Sequence, residues 1–256
     1  MRIRLIGSFL LLPLLPIAAT AANSVVSLSH YDERAPDFTG MQREGVDAVI
    51  HEATYPAFDC DSKYAARQSE AARVGLLWGA YHFANASDGR KQADHFLDFV
   101  AAGRKQGDRS SKSAGVLLIL DAEQNTHYPG GTMQVQQSIR FIERVRERTG
   151  IYPGVYSNEN WVKRLFDSPD VDAAARQTLS KCWLWIANYH KPPAATAPWA
   201  RWMLWQYTGD GICELPRSQY PTSVANMRKV ERTTFPGDRA SLRRFWAEHS
   251  WHPEGT

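Results

Sequence analysis

Eight short apolar runs recur along the chain, and helical patterns fill many of the gaps between them. The runs are VVSLSH (25–30), AVIHEA (48–53), LLWGAYHF (76–83), GVLLILDAE (115–123), YPGVYS (152–157), CWLWIANY (182–189), RWMLWQY (201–207) and VERTTF (230–235). Their length and their β-branched and aromatic content mark them as strands. Between them, 63–74 is rich in alanine, and 91–100 carries Phe96, Leu97 and Val100 on one side. Thr132 is placed to cap a helix in which Val135, Ile139, Ile142 and Val145 recur on one face, with Gly150 closing it. Strands that alternate with helices call for a parallel sheet. Eight of them in one domain predict an α/β fold, a single-domain irregular (β/α)8 TIM-like barrel, with its later connections the least regular.

Residues 1–21 read as a secretory signal peptide rather than as part of that barrel. Arg2 and Arg4 form a basic start, 5–17 is apolar but broken by prolines, and Ala19-Thr20-Ala21 supplies small residues for cleavage. The expected mature barrel is 22–256, secreted or periplasmic. The apolar segment is short for a membrane span, and no later stretch approaches about 18 consecutive apolar residues, so stable membrane anchoring is not expected. Losing Arg2 and Arg4 lowers the net charge from +3 to +1. That near-neutral balance argues against a nucleic-acid partner. Cys60, Cys182 and Cys213 remain, so an oxidising compartment predicts one disulfide and one free thiol. Cys60 and Cys213 both follow strands, whereas Cys182 precedes one, which makes Cys60–Cys213 the expected pair.

In barrels of this kind the reactive groups collect where the strands end. Here those ends carry His30, Tyr31 and Asp32; His51 and Glu52; Tyr81 and His82; Asp121 and Glu123; Tyr156; Asn188 and Tyr189; and Gln206 and Tyr207. Asp121 and Glu123 are two residues apart, so a strand's period of two sends both to one face. A carboxylic acid beside a carboxylate in a drying cleft has its pKa raised, which suits a general acid. Tyr81, Tyr156, Tyr189 and Tyr207 are the rings placed to stack on a sugar. His30, His51 and His82 end three successive strands and, with Asp121, raise the alternative of a metal-dependent hydrolase.

The motifs SLSHYD, AVIHEAT, GLLWGAYHFA, LLILDAE, TGIYPGVYS, LWIANY, WQYTGDG and TTFPGD occur in this order from about Val25 to Trp246. Together they resemble the family 25 glycoside hydrolases, the Chalaropsis-type lysozymes. The resemblance implies an N-acetylmuramidase that hydrolyses the β-1,4 bond between N-acetylmuramic acid and N-acetylglucosamine in peptidoglycan, with no metal and no cofactor. Glu123 would be the general acid and Asp121 its charged partner, steadying the substrate's acetamido nitrogen in one reading of the family's chemistry. Substrate contacts are expected from Ser27, His30, Tyr81, Tyr156, Tyr189, Gln206, Tyr207 and Glu231. Two positions depart from the family pattern: Ser27 and Glu231 stand where aspartates are usual. Ser27 therefore predicts a cleft with one charge fewer, and leaves as alternative a weakly active or non-catalytic peptidoglycan-binding protein. A monomer acting on peptidoglycan or a related glycan is expected.

Overall fold

The computed structural model describes residues 22–106, 115–169, 171–194 and 197–253; the segment read as a signal peptide lies outside them. All eight apolar runs form strands: β1 (Ala22–Leu28), β2 (Ala48–Tyr55), β3 (Leu77–Phe83), β4 (Val116–Asp121), β5 (Gly154–Asn158), β6 (Trp183–Ala187), β7 (Leu204–Thr208) and β8 (Glu231–Phe235). Strands β1 to β7 pair in parallel, each with the next. The sheet closes through β8, which pairs with both β7 and β1.

That closing strand corrects the all-parallel expectation, because β8 is antiparallel to both neighbours. A parallel strand needs a crossover that carries the chain back to the far end of the sheet, usually through a helix. Between β7 and β8 the described chain has only a loop and a small hairpin, Ser223–Val224 with Met227–Arg228. The chain therefore re-enters from the end at which it left, and the first residue of β8, Glu231, lies at the strand-end face.

Period-two alternation divides the side chains of each strand. Val25, Ile50, Leu117, Ile119, Trp185 and Leu204 fill the barrel interior. Their neighbours Val26, Val49, Leu118, Leu120, Leu184 and Ile186 face the surrounding helices. With both faces covered, the strands read as apolar runs rather than as alternation.

Helices α1 (Phe38–Arg43), α2 (Tyr64–Arg73), α3 (Gly89–Gln106), α4 (Val135–Thr149) and α5 (Glu159–Leu165) follow strands β1 to β5 in turn, and α6 (Ala173–Leu179) comes after α5, before β6. Helix α4 buries Ile139, Phe141, Ile142 and Val145, and Gly150 at φ 77° ends it in the left-handed conformation. Its cap is Gln134 rather than Thr132. The Thr132 hydroxyl instead accepts the Asn125 N–H at 3.0 Å, holding the loop after β4.

Helix α7 (Arg239–His249) closes the opposite end of the barrel. Leu242, Phe245 and Trp246 pack into the interior cluster, and the Trp246 indole donates to the Trp78 carbonyl at 2.9 Å. Trp246 is 1 % exposed. Trp246→Ala should cost about 3–5 kcal/mol of stability in urea unfolding, the usual scale for deleting a buried aromatic. A loss below about 1 kcal/mol would contradict the plug.

Candidate active site

Inward-facing residues at the strand ends line a cleft of about 430 Å³. Its floor holds Asp121, the last residue of β4, 5 % exposed, whose Oδ1 has no hydrogen-bond partner. The turn beyond it is pinned from both sides. Ala84 N–H donates to the Asp121 carbonyl at 3.0 Å, and Ala122 N–H donates to the Tyr156 carbonyl at 3.0 Å. The Ser157 hydroxyl donates to the Ala122 carbonyl at 3.1 Å. The next residue, Glu123, is thereby presented to the cleft. Its Oε1 accepts Asn158 Nδ2 at 3.3 Å, while Asn158 Oδ1 caps α5 by accepting the Trp161 N–H at 2.9 Å.

Five carboxyl groups line this one space: Glu52, Asp121, Glu123, Asp210 and Glu231. No lysine or arginine lines it among the described residues. Burial is the main reason the proton affinities of Glu52, Asp121, Glu123 and Glu231 rise. It holds Asp121 well above the ordinary carboxylate range, and the charges of Glu123 and Glu52 push the same way. Burial also raises Glu123, opposed by the Asn158 hydrogen bond and assisted by Asp210. Glu231 is pushed up to about 8 by burial, then by Asp32, Asp210 and Glu123. Burial raises Glu52, against the pull of His30, whose backbone N–H donates to Glu52 Oε2 at 3.2 Å and whose Nδ1 is hydrogen-bonded to the same oxygen.

Asp121 is the more strongly shifted of the Asp121–Glu123 pair, because it is the more buried and one of its oxygens lacks a donor. Glu52 adds a carboxyl to the cleft that was given no role from the sequence. Ser27 pairs directly with Glu231 across the β1–β8 ladder, and Glu231 reaches the cleft from that position.

Of the residues expected to contact substrate, Tyr81, Tyr156, Tyr189, Gln206 and Glu231 line the cleft together with Asp121 and Glu123. Ser27 does not: it is 2 % exposed, with its hydroxyl buried and unpartnered, and Ser29 takes the lining position two residues on. His30 stands one layer back, bonded to Glu52 and stacked on Tyr55 at 4.4 Å. Tyr207 is turned outward, fully buried against Trp205 and Tyr220, and its hydroxyl donates to the Pro221 carbonyl at 2.8 Å. Strand parity explains it, since Gln206 and Tyr207 cannot share a face.

The three histidines do not converge. His51 and His82 point away from the barrel interior, hydrogen-bonded to Arg67 and to Gln92 respectively, and burial lowers them to about 3 and about 4. The cysteine expectation is also overturned: Cys60, Cys182 and Cys213 are all free. Buried Cys182 donates to the Thr178 carbonyl, and Cys60 lies 3.5 Å from His95.

Of the other lining residues, Glu52 and Tyr31 were placed at strand ends by the sequence but given no role, and Tyr128 and Asp210 were not singled out. Glu52 shares the inward parity of Ala48 and Ile50, a signal that was there to use. Asp210 sits at φ 51° in the Gly-Asp-Gly turn after β7, a conformation aspartate tolerates better than most residues. Tyr31, 68 % exposed, and Tyr128 join hydroxyls at 2.9 Å on the cleft wall. They come from loops, which carry no periodic signal.

A second hollow of about 340 Å³ adjoins the first, with Asn158, Asn160 and Asn188 in its wall. The two share Glu123, Tyr189 and Asp210. Glu123 therefore stands at the border between two spaces, one walled by rings and acids, the other by amides. A proton held there is available to an atom that bridges two groups bound on either side.

The site thus sets two acids at the exit of one barrel strand, facing a single cleft. The family model described as Glycosyl hydrolases family 25 matches residues 26–214, and the chain belongs to that family and is a glycosidase. It is 26 % identical over 230 residues to Lysozyme M1 of Streptomyces globisporus, covering 85 % of this chain and 74 % of that protein. Among solved structures it resembles the bacterial lysozyme of Streptomyces coelicolor, with TM-score 0.67, 24 % identity, and 88 % and 97 % of the two chains covered. A muramidase from Acremonium alcalophilum aligns with TM-score 0.64 at 23 % identity, over 87 % of this chain and 98 % of its own.

Glu231 lies beyond the matched span, and its shift has a measurable consequence. A carboxyl raised in the folded state stabilises the fold fully below its unfolded pKa, and that contribution is lost as pH rises through the folded value, here about 8. Glu231→Gln mimics the protonated form. It should melt several degrees above wild type at pH 9 and together with it at pH 4. Equal differences at both pH values would show that Glu231 is not the titrating group.

Proposed function

We propose that the protein is an exported N-acetylmuramidase that cuts the β-1,4 bond between N-acetylmuramic acid and N-acetylglucosamine in peptidoglycan. The observation that carries this reading is the position of Glu123 on the border of two hollows, where the oxygen linking two sugars would lie. The names of the relatives, lysozyme and muramidase, support the substrate. The basic, apolar and small-residue succession of residues 1–21 supports export, and no described helix is long and apolar enough to cross a membrane.

Glu123, whose affinity for a proton is raised by burial, gives that proton to the glycosidic oxygen as the bond breaks. Asp121 Oδ1, an acceptor without a donor, takes the N–H of the substrate's 2-acetamido group. That hydrogen bond orients the acetamido oxygen toward the anomeric carbon, in the substrate-assisted variant of glycoside hydrolysis. Glu123, now a carboxylate, removes a proton from the water that completes the reaction. Tyr156 and Tyr189 flank the reacting ring, and Gln206 Oε1, buried without a donor, accepts from a sugar hydroxyl.

Removing a general acid typically costs about 10²- to 10⁴-fold in rate. Glu123→Gln should show that loss in kcat on purified peptidoglycan while keeping the wild-type melting temperature and its binding to the wall. Near-normal release of reducing sugar by the folded variant would sink the assignment.

A further inference from the structure

A third hollow, of about 380 Å³, continues the groove beyond the two already described, lined by Gln124, Asn158, Asn160, Trp161 and Arg164. It shares Asn158 and Asn160 with the second hollow, as the second shares Glu123 with the first. The three form one path across the strand-end face, from the acid-crowded cleft to the exposed side of α5.

Charge changes along that path. The first hollow holds five carboxyl groups and no lysine or arginine among the described residues. In the second, Glu159 is held by Lys163 at 2.6 Å, and His190 by Glu214 at 2.8 Å. Arg164, in the third, is exposed and has no carboxylate within ion-pair distance among the described residues. It is the one unneutralised cation lining the route.

Its neighbours are donors. The Arg164 guanidinium lies over the Trp161 ring at 5.7 Å, a contact that orients the planar fork. The Trp161 indole N–H has no hydrogen-bond partner. Gln124 and Asn160 add two side-chain amides. A guanidinium fork flanked by side-chain amides suits a carboxylate, which takes parallel hydrogen bonds from arginine.

Resting on the muramidase reading, we propose that this third hollow binds a carboxylate of the peptide stem carried by a sugar next to the scissile pair. Peptidoglycan is an anionic glycan, and its stem carboxylates are repelled from a centre crowded with acids. The Arg164 end is where the groove can accept one. The stem thereby fixes the direction and register in which a strand lies across Glu123. Asn158 links the two ends, since one amide both caps α5 at Trp161 and donates to Glu123.

The test compares two substrates: intact peptidoglycan, and the same strands after carbodiimide and excess ammonia convert their stem carboxyls to amides. Arg164→Gln should raise KM on intact strands about two- to five-fold, the scale of an exposed charge pair, with kcat unchanged. It should change nothing on amidated strands, and Arg164→Lys should recover part of the loss. An equal effect on both substrates, or none on either, overturns the stem subsite while leaving the muramidase assignment standing. If wild-type protein cuts neither strand, both readings fall.

Discussion

The antiparallel seam between β1 and β8 is the contact on which both the barrel and its site depend. Seven parallel strands leave two unpaired edges, and β8 satisfies both at once. Because it runs against its neighbours, its first residue rather than its last lies at the strand-end face. Glu231 therefore enters the cleft beside Ser27. The same closure that completes the hydrogen bonding thus delivers a carboxyl group to the site.

Crowding carboxyl groups into one cleft costs folding free energy, because Glu52, Asp121, Glu123 and Glu231 are desolvated by burial and repelled by neighbouring acids. The structure carries that cost on a rigid frame. Backbone hydrogen bonds from β3 and β5 hold the Asp121–Glu123 turn on both sides, and the barrel beneath is filled by Trp183, Trp185, Phe245 and Trp246. What the crowding supplies is a raised proton affinity in Glu52, Asp121, Glu123 and Glu231, above all in Asp121 and Glu231. A site that needs a proton donor and tolerates developing positive charge on a sugar gains from both.

The strands were legible because each is covered on both faces and so appears as an apolar run. The hand of the last one was not, since parallel and antiparallel strands share the same period. Parity could have separated more than it did: it puts Gln206 in the cleft and Tyr207 outside, and Glu52 in and His51 out. The catalytic candidates Asp121 and Glu123 were visible as two acids at the exit of a buried strand. Tyr128 and Asp210 were not, because loop conformation and long-range hydroxyl contacts leave no pattern in the sequence. Ser27 brings no carboxyl to the cleft, and its partner across the seam, 204 positions away, is the other position that departs from the family pattern.

The account stands or falls on which bond spans the border at Glu123. Digesting purified peptidoglycan, reducing the new ends with borohydride and identifying the sugar alcohols by mass spectrometry reads that bond directly. The account predicts that every new reducing end is the alcohol of N-acetylmuramic acid. Ends derived from N-acetylglucosamine would contradict it.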